Sequence, residues 1–484
     1  MTTARLVPVA FFAAALVAML GFALGAPLDH DEHQFIASAA LLAREGLLPY
    51  RDFAYFHTPN LVGIYALLFL ATDHLLLAAR LFSTLCAWLI GVGLFTIALR
   101  RTASVALALG IAALFLVNPV VGYTFPKAWN HLLPALLLLL AFASQCRGAR
   151  VEKVGWFFVS GFLIAATAGT RISFAPLALP FLVMAWFTPR RHTAVAACIG
   201  GMFVASIPTF LLFAAAPAQF LFDNLAYNSR VNALYRLASG DERSALVSKA
   251  VFLGKVLANP GNLALLAVGI FALFQQRHRW RSDYPTALLF ATLPFVLLGV
   301  LAPTPSYSQY YSALALAASL AAAIDLPSRA LWPLAAAVAV SLVASVVQNF
   351  ETITRLAKGE WTPVQLHADG QALRKRVGPG PVLTLAPIVP LEGGLSIYAP
   401  FATGSFAWRT ASQIPTAERQ LHGFVAAEDL PGFLADRPPA AILLGYERKQ
   451  ERAQLTYARD HGYRRVELPQ KISLWLPPNG SGHP

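Results

Sequence analysis

Charge is scarce in this sequence. Of 484 residues only 13% are Asp, Glu, Lys or Arg while 57% are apolar, and a soluble globular protein carries roughly twice that charged share. The shortage excludes water as the main solvent. Cysteine is scarcer still: Cys86, Cys146 and Cys198 fall in apolar stretches or at their ends. They show neither metal-type spacing nor a pairing pattern, which excludes a disulfide framework and makes them core residues. There is no internal repeat and no low-complexity segment beyond an Ala/Leu bias. The net charge of +13 is spread over short loops and is not gathered on one soluble face, so nucleic acid is excluded as a partner.

What is abundant is apolar sequence in lengths near the ~20 residues that cross ~30 Å of hydrocarbon as a helix. Such stretches recur at about 6–26, 78–99, 103–121, 128–145, 154–170, 172–188, 193–215, 248–273, 285–302, 310–325 and 330–347, which predicts eleven spans. The chain reads as an α-helical polytopic membrane protein, with the first run retained as a span and not cleaved as a signal peptide. The expected organisation is a transmembrane bundle over 1–348, with a first outer loop at 27–77, and a small extracytoplasmic α/β domain over 349–484. In that last region Pro381–Ala386, Ala440–Leu444 and Ile472–Leu476 read as strands, and Val364–Arg376 and Arg448–His461 as helices.

Basic residues set the orientation. Arg100 and Arg101, then Arg147, Arg150 and Lys153, then Arg190 and Arg191, then Arg277, Arg279 and Arg281, then Arg329 occupy alternate loops. These loops and the N-terminus are expected in the cytoplasm, and the acidic first loop and the C-terminal region outside. The long loop at 216–247 carries Arg230, Arg236 and Arg243 on the opposite side, where length weakens the rule. Within the first loop, an amphipathic helix from about Glu32 to Glu45 and a short apolar run from Leu61 to Ala71 are expected at the outer surface, the latter too short to cross. The spans themselves read as unbroken.

Chemistry-bearing residues collect after the first span: Leu28-Asp29-His30-Asp31-Glu32-His33, then Pro49-Tyr50-Arg51-Asp52-Phe53, then Phe56-His57-Thr58-Pro59-Asn60. A later span opens with Ala78-Ala79-Arg80-Leu81. This pattern resembles the GT-C superfamily of membrane glycosyltransferases, in its protein O-mannosyltransferase and aminoarabinose-transferase-like branch. The resemblance covers roughly residues 6–345. It implies a polyprenyl-phosphate-linked sugar donor, membrane lipids as partners, inversion at the anomeric carbon, and a location in the bacterial inner membrane. It matches Asp31 to the catalytic aspartate, Glu32 to its acidic neighbour, and Asp52 with His57-Thr58-Pro59 to a second loop segment. There the common pattern has Pro-Pro, in some relatives after a lysine, where this chain has Thr58-Pro59-Asn60.

The residues suit such a transfer on their own terms. An acceptor hydroxyl needs a carboxylate to take its proton, and Asp31 is the expected base, with Asp29, Asp52 and His57 as further polar contacts. A lipid phosphate leaves already charged and needs fixed cations. Arg80 and Arg171, at outer ends of spans, are the candidates, although snorkelling to headgroups places arginines in the same way. Lys127 suits either a phosphate or acceptor contact or an interfacial anchor beside Trp129, and Gln309 and Tyr310 suit either a donor entry or an aromatic belt. The sequence assigns no cofactor with certainty. Asp29, His30, Asp31, Glu32 and His33 are all metal-ligand types, which leaves a divalent cation compatible. Hexose, pentose and amino-sugar donors all fit, as do polysaccharide, lipid and protein acceptors. A transporter or flippase and a non-enzymatic scaffold of envelope glycan assembly are the competing readings.

Overall fold

The structure is a computed structural model and describes residues 3–240, 246–468 and 472–478. Arg243, one of the loop arginines above, lies outside the described residues. The fold is mainly helical with a small C-terminal sheet. Two compact units divide the chain discontinuously: the first holds Met1–Ala26, Arg80–Phe210 and Glu242–Gly359, the second Pro27–Ala79, Leu211–Asp241 and Glu360–Pro484.

In the first unit, α1 (Thr3–Gly25) is the N-terminal apolar helix. Each of the other expected spans is also helical. Among the described residues, six helices are long and apolar enough to cross a membrane, or up to seven if a bent pair is one span. Shorter apolar helices lie at Val105–Leu116 and Val154–Thr170.

The expectation of unbroken spans needs correction at two points. The 248–273 stretch is two helices, Leu246–Leu257 and Pro260–Gln276, meeting at 92°. The 103–121 stretch stops at Leu116 and restarts as Pro119–Thr124. Both restarts are Asn-Pro: the Asn118 and Asn259 side chains accept from the Val120 and Gly261 amides, and proline occupies the first helical turn. An Asn cap in extended backbone and a proline without an N–H stop one helix and begin another. The breaks are joined by polar contacts. Ser341 donates to the Gly261 carbonyl at 3.0 Å, and the Gln348 amide to the Pro119 carbonyl at 3.1 Å.

In the second unit, α2 (His30–Glu45) and α3 (Asn60–Phe69) form the helices expected in the first loop. The setting of α2 differs from the expectation. Every residue of α2 from Glu32 to Leu41 is buried, so α2 is enclosed and presents no solvent face there. It packs on α3 and on the short Ile388–Glu392 helix, whose Leu391 carbonyl accepts from Arg44 at 2.6 Å.

The sheet has the order β1-β2-β4-β3, with β1 (Val382–Leu383) parallel to β2 (Ala441–Leu444), and β4 (Ser473–Leu476) antiparallel to both β2 and β3 (Arg464–Glu467). Three strands fall where the apolar runs placed them. β3 was missed because its sequence, Arg-Arg-Val-Glu, is an edge strand with mostly exposed side chains and carries no apolar run.

Loop and cap share one core in this unit. Phe56 stacks on Tyr227 at 3.5 Å, Phe222 on His422 at 3.8 Å, and Ala54, Ala407, Ile414 and Phe424 complete the cluster. The segment at 216–247 is therefore not a plain loop: a π-helix over Phe222–Val231 carries Phe222 and Tyr227 into that core.

Candidate functional site

In the second unit the Asp29–His33 segment is organised by a helix start. Asp29 caps α2: its carboxylate accepts from the Asp31 amide at 2.9 Å, and Glu32 reaches back to the Asp29 amide at 3.0 Å. This reciprocal capping box satisfies helix N–H groups that have no partner inside the helix. Glu32, fully buried, is thereby given a folding role. Asp31 enters this start through its backbone amide. It lies 3.1 Å from His30 Nε2, and the His30 ring stacks on Phe406 at 5.6 Å.

Arg409 lies over the same Phe406 ring at 4.4 Å. Burial raises the Glu447 carboxyl, and His30 and Arg409 pull it back. None of Phe406, Arg409 and Glu447 was expected from the sequence. They sit in the C-terminal region, far along the chain, and only the tertiary fold brings them to His30. His33 is enclosed, and burial, with His30 adding to it, brings its imidazole down to about 3, so it is neutral at physiological pH. Asp29, His30 and Asp31 each offer a ligand atom within 4.8 Å of the others, a set compatible with a divalent cation.

The second loop segment is built by hydrogen bonds. Asp52 accepts from the Leu48 amide at 2.7 Å and pairs with Arg51, whose hydrogen bond holds its carboxyl below the usual range. Tyr50 donates to the His57 carbonyl at 2.5 Å, and the His57 ring lies against Phe35 and Tyr55 at 5.0 and 5.9 Å. Asp223, buried in the π-helix, accepts from the Tyr55 amide at 2.9 Å and from Gln219 at 2.8 Å. It anchors the backbone just before His57, a contact invisible to sequence reading at a separation of 168 residues.

In the first unit, Arg171 ends the Val154–Thr170 helix and is almost fully buried. It meets His131 Nδ1 at 2.5 Å and lies 4.1 Å over the Tyr310 ring. The His131 ring faces Tyr310 at 5.4 Å and Trp129 at 6.0 Å, and Lys127 sits 3.9 Å over Tyr123 and 4.4 Å over Trp129. Lys127, Arg171 and Tyr310, expected separately, thus belong to one continuous patch of two cations on aromatic faces. A cation desolvated on an aromatic ring gains about 2 kcal/mol. Gln309 is buried beside it in the same turn. His131 was not singled out from the sequence, yet it couples the two cations. Arg80 lies at the end of α1. Fully buried, it donates from Nη1 to the Ala23 and Ala26 carbonyls at 3.2 and 2.7 Å and so closes the end of α1.

No family model matches the sequence, and no curated protein matches it. Solved structures do match in fold. The crystal structure of ArnT from Cupriavidus metallidurans bound to undecaprenyl phosphate aligns with a TM-score of 0.65 at 14% identity, covering 98% of this chain and 99% of that one. The same protein in its apo state gives 0.63 at 13% identity, covering 98% of each chain. At such identity the likeness is one of fold, and the chain has the fold of these ArnT structures along nearly its whole length.

Proposed function

We propose that the chain is an inverting glycosyltransferase that moves a sugar from a polyprenyl-phosphate carrier to an envelope acceptor, whether glycan, lipid or protein, at the outer face of a bacterial inner membrane. The observation that carries this reading is the match over 98% of the chain to a structure that holds undecaprenyl phosphate. The chain's own residues supply both requirements of the reaction.

Asp31, beside His30 at the opening of α2, is the general base. It takes the acceptor hydroxyl's proton as the acceptor oxygen bonds to the anomeric carbon. The bond from that carbon to the phosphate oxygen breaks in the same displacement, and its electron pair leaves with the phosphate. Attack opposite the leaving group inverts the carbon. Lys127 and Arg171 are the fixed cations for the phosphate, held on aromatic faces and by His131. Phe406, stacked on His30, offers an apolar face to a sugar ring. Glu32 serves by fixing the helix start from which Asp31 projects.

The test compares envelope glycans and carrier-lipid phosphosugars by mass spectrometry in cells with the protein, without it, and with Asp31→Ala. Build-up of one phosphosugar and loss of one glycan residue are expected in the last two, with Asp31→Ala inserted in the membrane at normal level. Unchanged glycans in Asp31→Ala would remove Asp31 as the base. Transport of a solute without sugar transfer would replace the reading altogether.

A further inference from the structure

Among the described residues, a second group of metal-ligand side chains lies elsewhere in the second unit. Asp73 and His74 occupy the turn between α3 and the Leu75–Thr102 helix, and His367 lies on the Thr362–Arg374 helix. One ligand atom from each of the three lies within 4.8 Å of the others. The His74 and His367 rings are 3.8 Å apart at their centroids, tilted by 30°.

Two features set this group apart from a chance cluster. His367 Nδ1 is 2.8 Å from Glu392, a fully buried carboxylate whose other oxygen accepts from the Leu76 amide at 2.7 Å. A carboxylate behind a histidine nitrogen fixes the tautomer and leaves the opposite nitrogen, Nε2, as the ligand atom, the usual support of a metal-bound imidazole; here Nε2 lies 3.5 Å from the Gln371 side-chain nitrogen, a long contact that a cation would replace. In addition, His74 Nδ1 is buried with no hydrogen-bond partner. A buried imidazole nitrogen without a partner is costly, and a bound cation would remove that cost.

We propose that Asp73, His74 and His367 bind one divalent transition metal of the zinc class, with Glu392 as the supporting carboxylate. Two imidazoles and one carboxylate are the ligands of zinc and its neighbours; magnesium and calcium prefer all-oxygen sets. With zinc bonds of about 2.0–2.1 Å, tetrahedral ligand atoms stand about 3.4 Å apart. The site must therefore contract, and Asp73, whose side chain is 65% exposed, has the freedom to swing in. Three protein ligands leave a fourth position for water. The metal would clip the α3 turn to the Thr362–Arg374 helix, joining segments nearly 300 residues apart.

The test uses the full chain in detergent, stripped with a chelator and dialysed against zinc chloride. Zinc content is read by mass spectrometry and the melting temperature with and without zinc. One tightly held zinc per chain and a zinc-dependent rise in melting temperature are expected. Both should be lost in His74→Ala and His367→Ala, and affinity should fall 10–100-fold in Glu392→Gln, the usual cost of losing an outer-sphere partner. Asp73→Asn, at the most exposed of these positions, keeps the test valid if another variant fails to fold; it too should weaken zinc. His30→Ala separates this group from Asp29, His30 and Asp31 and should retain the zinc. Zinc lost in His30→Ala but kept in Asp73→Asn and His74→Ala, or no zinc held by the unmodified chain, overturns the proposal.

Discussion

Three carboxylates stand within four residues after the first helix, and the structure gives them different work. The Asp29 and Glu32 carboxylates close the start of α2, while the Asp31 carboxylate lies beside His30. The Asp-x-x-Glu spacing of a capping box was present in the sequence, yet the same letters also matched a catalytic pair, and letters alone do not divide the roles. Asp223 shows the opposite case, a residue with no local signal. Burial holds its carboxyl well above the usual value near 3.8, against the Tyr55 amide and Gln219, which favour the charged form. A group whose pKa is raised by folding contributes its stability fully below the unfolded pKa and loses it as pH rises through the folded value. Asp223→Asn keeps an acceptor for the Tyr55 amide and removes the titration. The variant should therefore melt near the parent at about pH 4 and gain on it steadily toward neutral pH. A difference in melting temperature that stays flat with pH, or grows as pH falls, contradicts this.

Among elements, the positions of the apolar helices were legible because a hydrocarbon solvent demands long apolar helices and leaves that demand written in composition; of the eleven expected spans, six or seven are long and apolar enough to cross among the described residues. Interruptions were legible too, but only to a reader of Asn-Pro pairs at 118–119 and 259–260, which hydropathy averages conceal. The strands with apolar runs were visible; β3 was not. Close helix approach was likewise hidden, because it depends on which glycines face each other. A Cβ on Gly161 would lie 1.9 Å from the Cys198 carbonyl oxygen, and one on Gly201 would lie 2.0 Å from the Phe158 carbonyl oxygen. The Val154–Thr170 and Arg191–Ala215 helices therefore meet backbone to backbone, the contact that small residues permit between helices in lipid. Neither carbonyl can yield as a flexible side chain would. Gly161→Val should cost at least the ~1–3 kcal/mol typical of overpacking and lower the melting temperature in detergent by several degrees. Gly155→Ala, with open space around its Cβ, should not. Equal melting of the two variants would mean that the helices are not in contact there.

At the scale of the molecule, sidedness was read from the alternation of basic loops, and in the first unit several of those loops lie together. Arg101 donates to Asp283 at 3.0 Å and to the Ile324 carbonyl at 3.1 Å, and Arg279 pairs with Asp325 at 2.5 Å. A cavity of about 700 Å³ is lined by Arg100, Arg101, Arg147, Arg150, Thr188 and Asp283, so these basic loops share one end of the bundle. The Leu132–Val151 helix runs from His131, in the Lys127–Arg171 patch, to the arginines of that cavity. Its 20 residues extend about 30 Å, the thickness of the hydrocarbon core. Patch and cavity thus lie at opposite ends of a helix long enough to span a membrane, and on the proposed topology the bias of Lys and Arg assigns the cavity end to the cytoplasm. The Tyr284–Leu301 helix offers a direct check, since Ser282 and Ala302, both exposed, flank its two ends. With the three native cysteines replaced, a membrane-impermeant maleimide should label Ala302→Cys from outside intact spheroplasts. It should reach Ser282→Cys only in inside-out vesicles. The reverse pattern would put Lys127, His131 and Arg171 in the cytoplasm, and a carrier-lipid phosphate presented at the outer face could not then be their ligand.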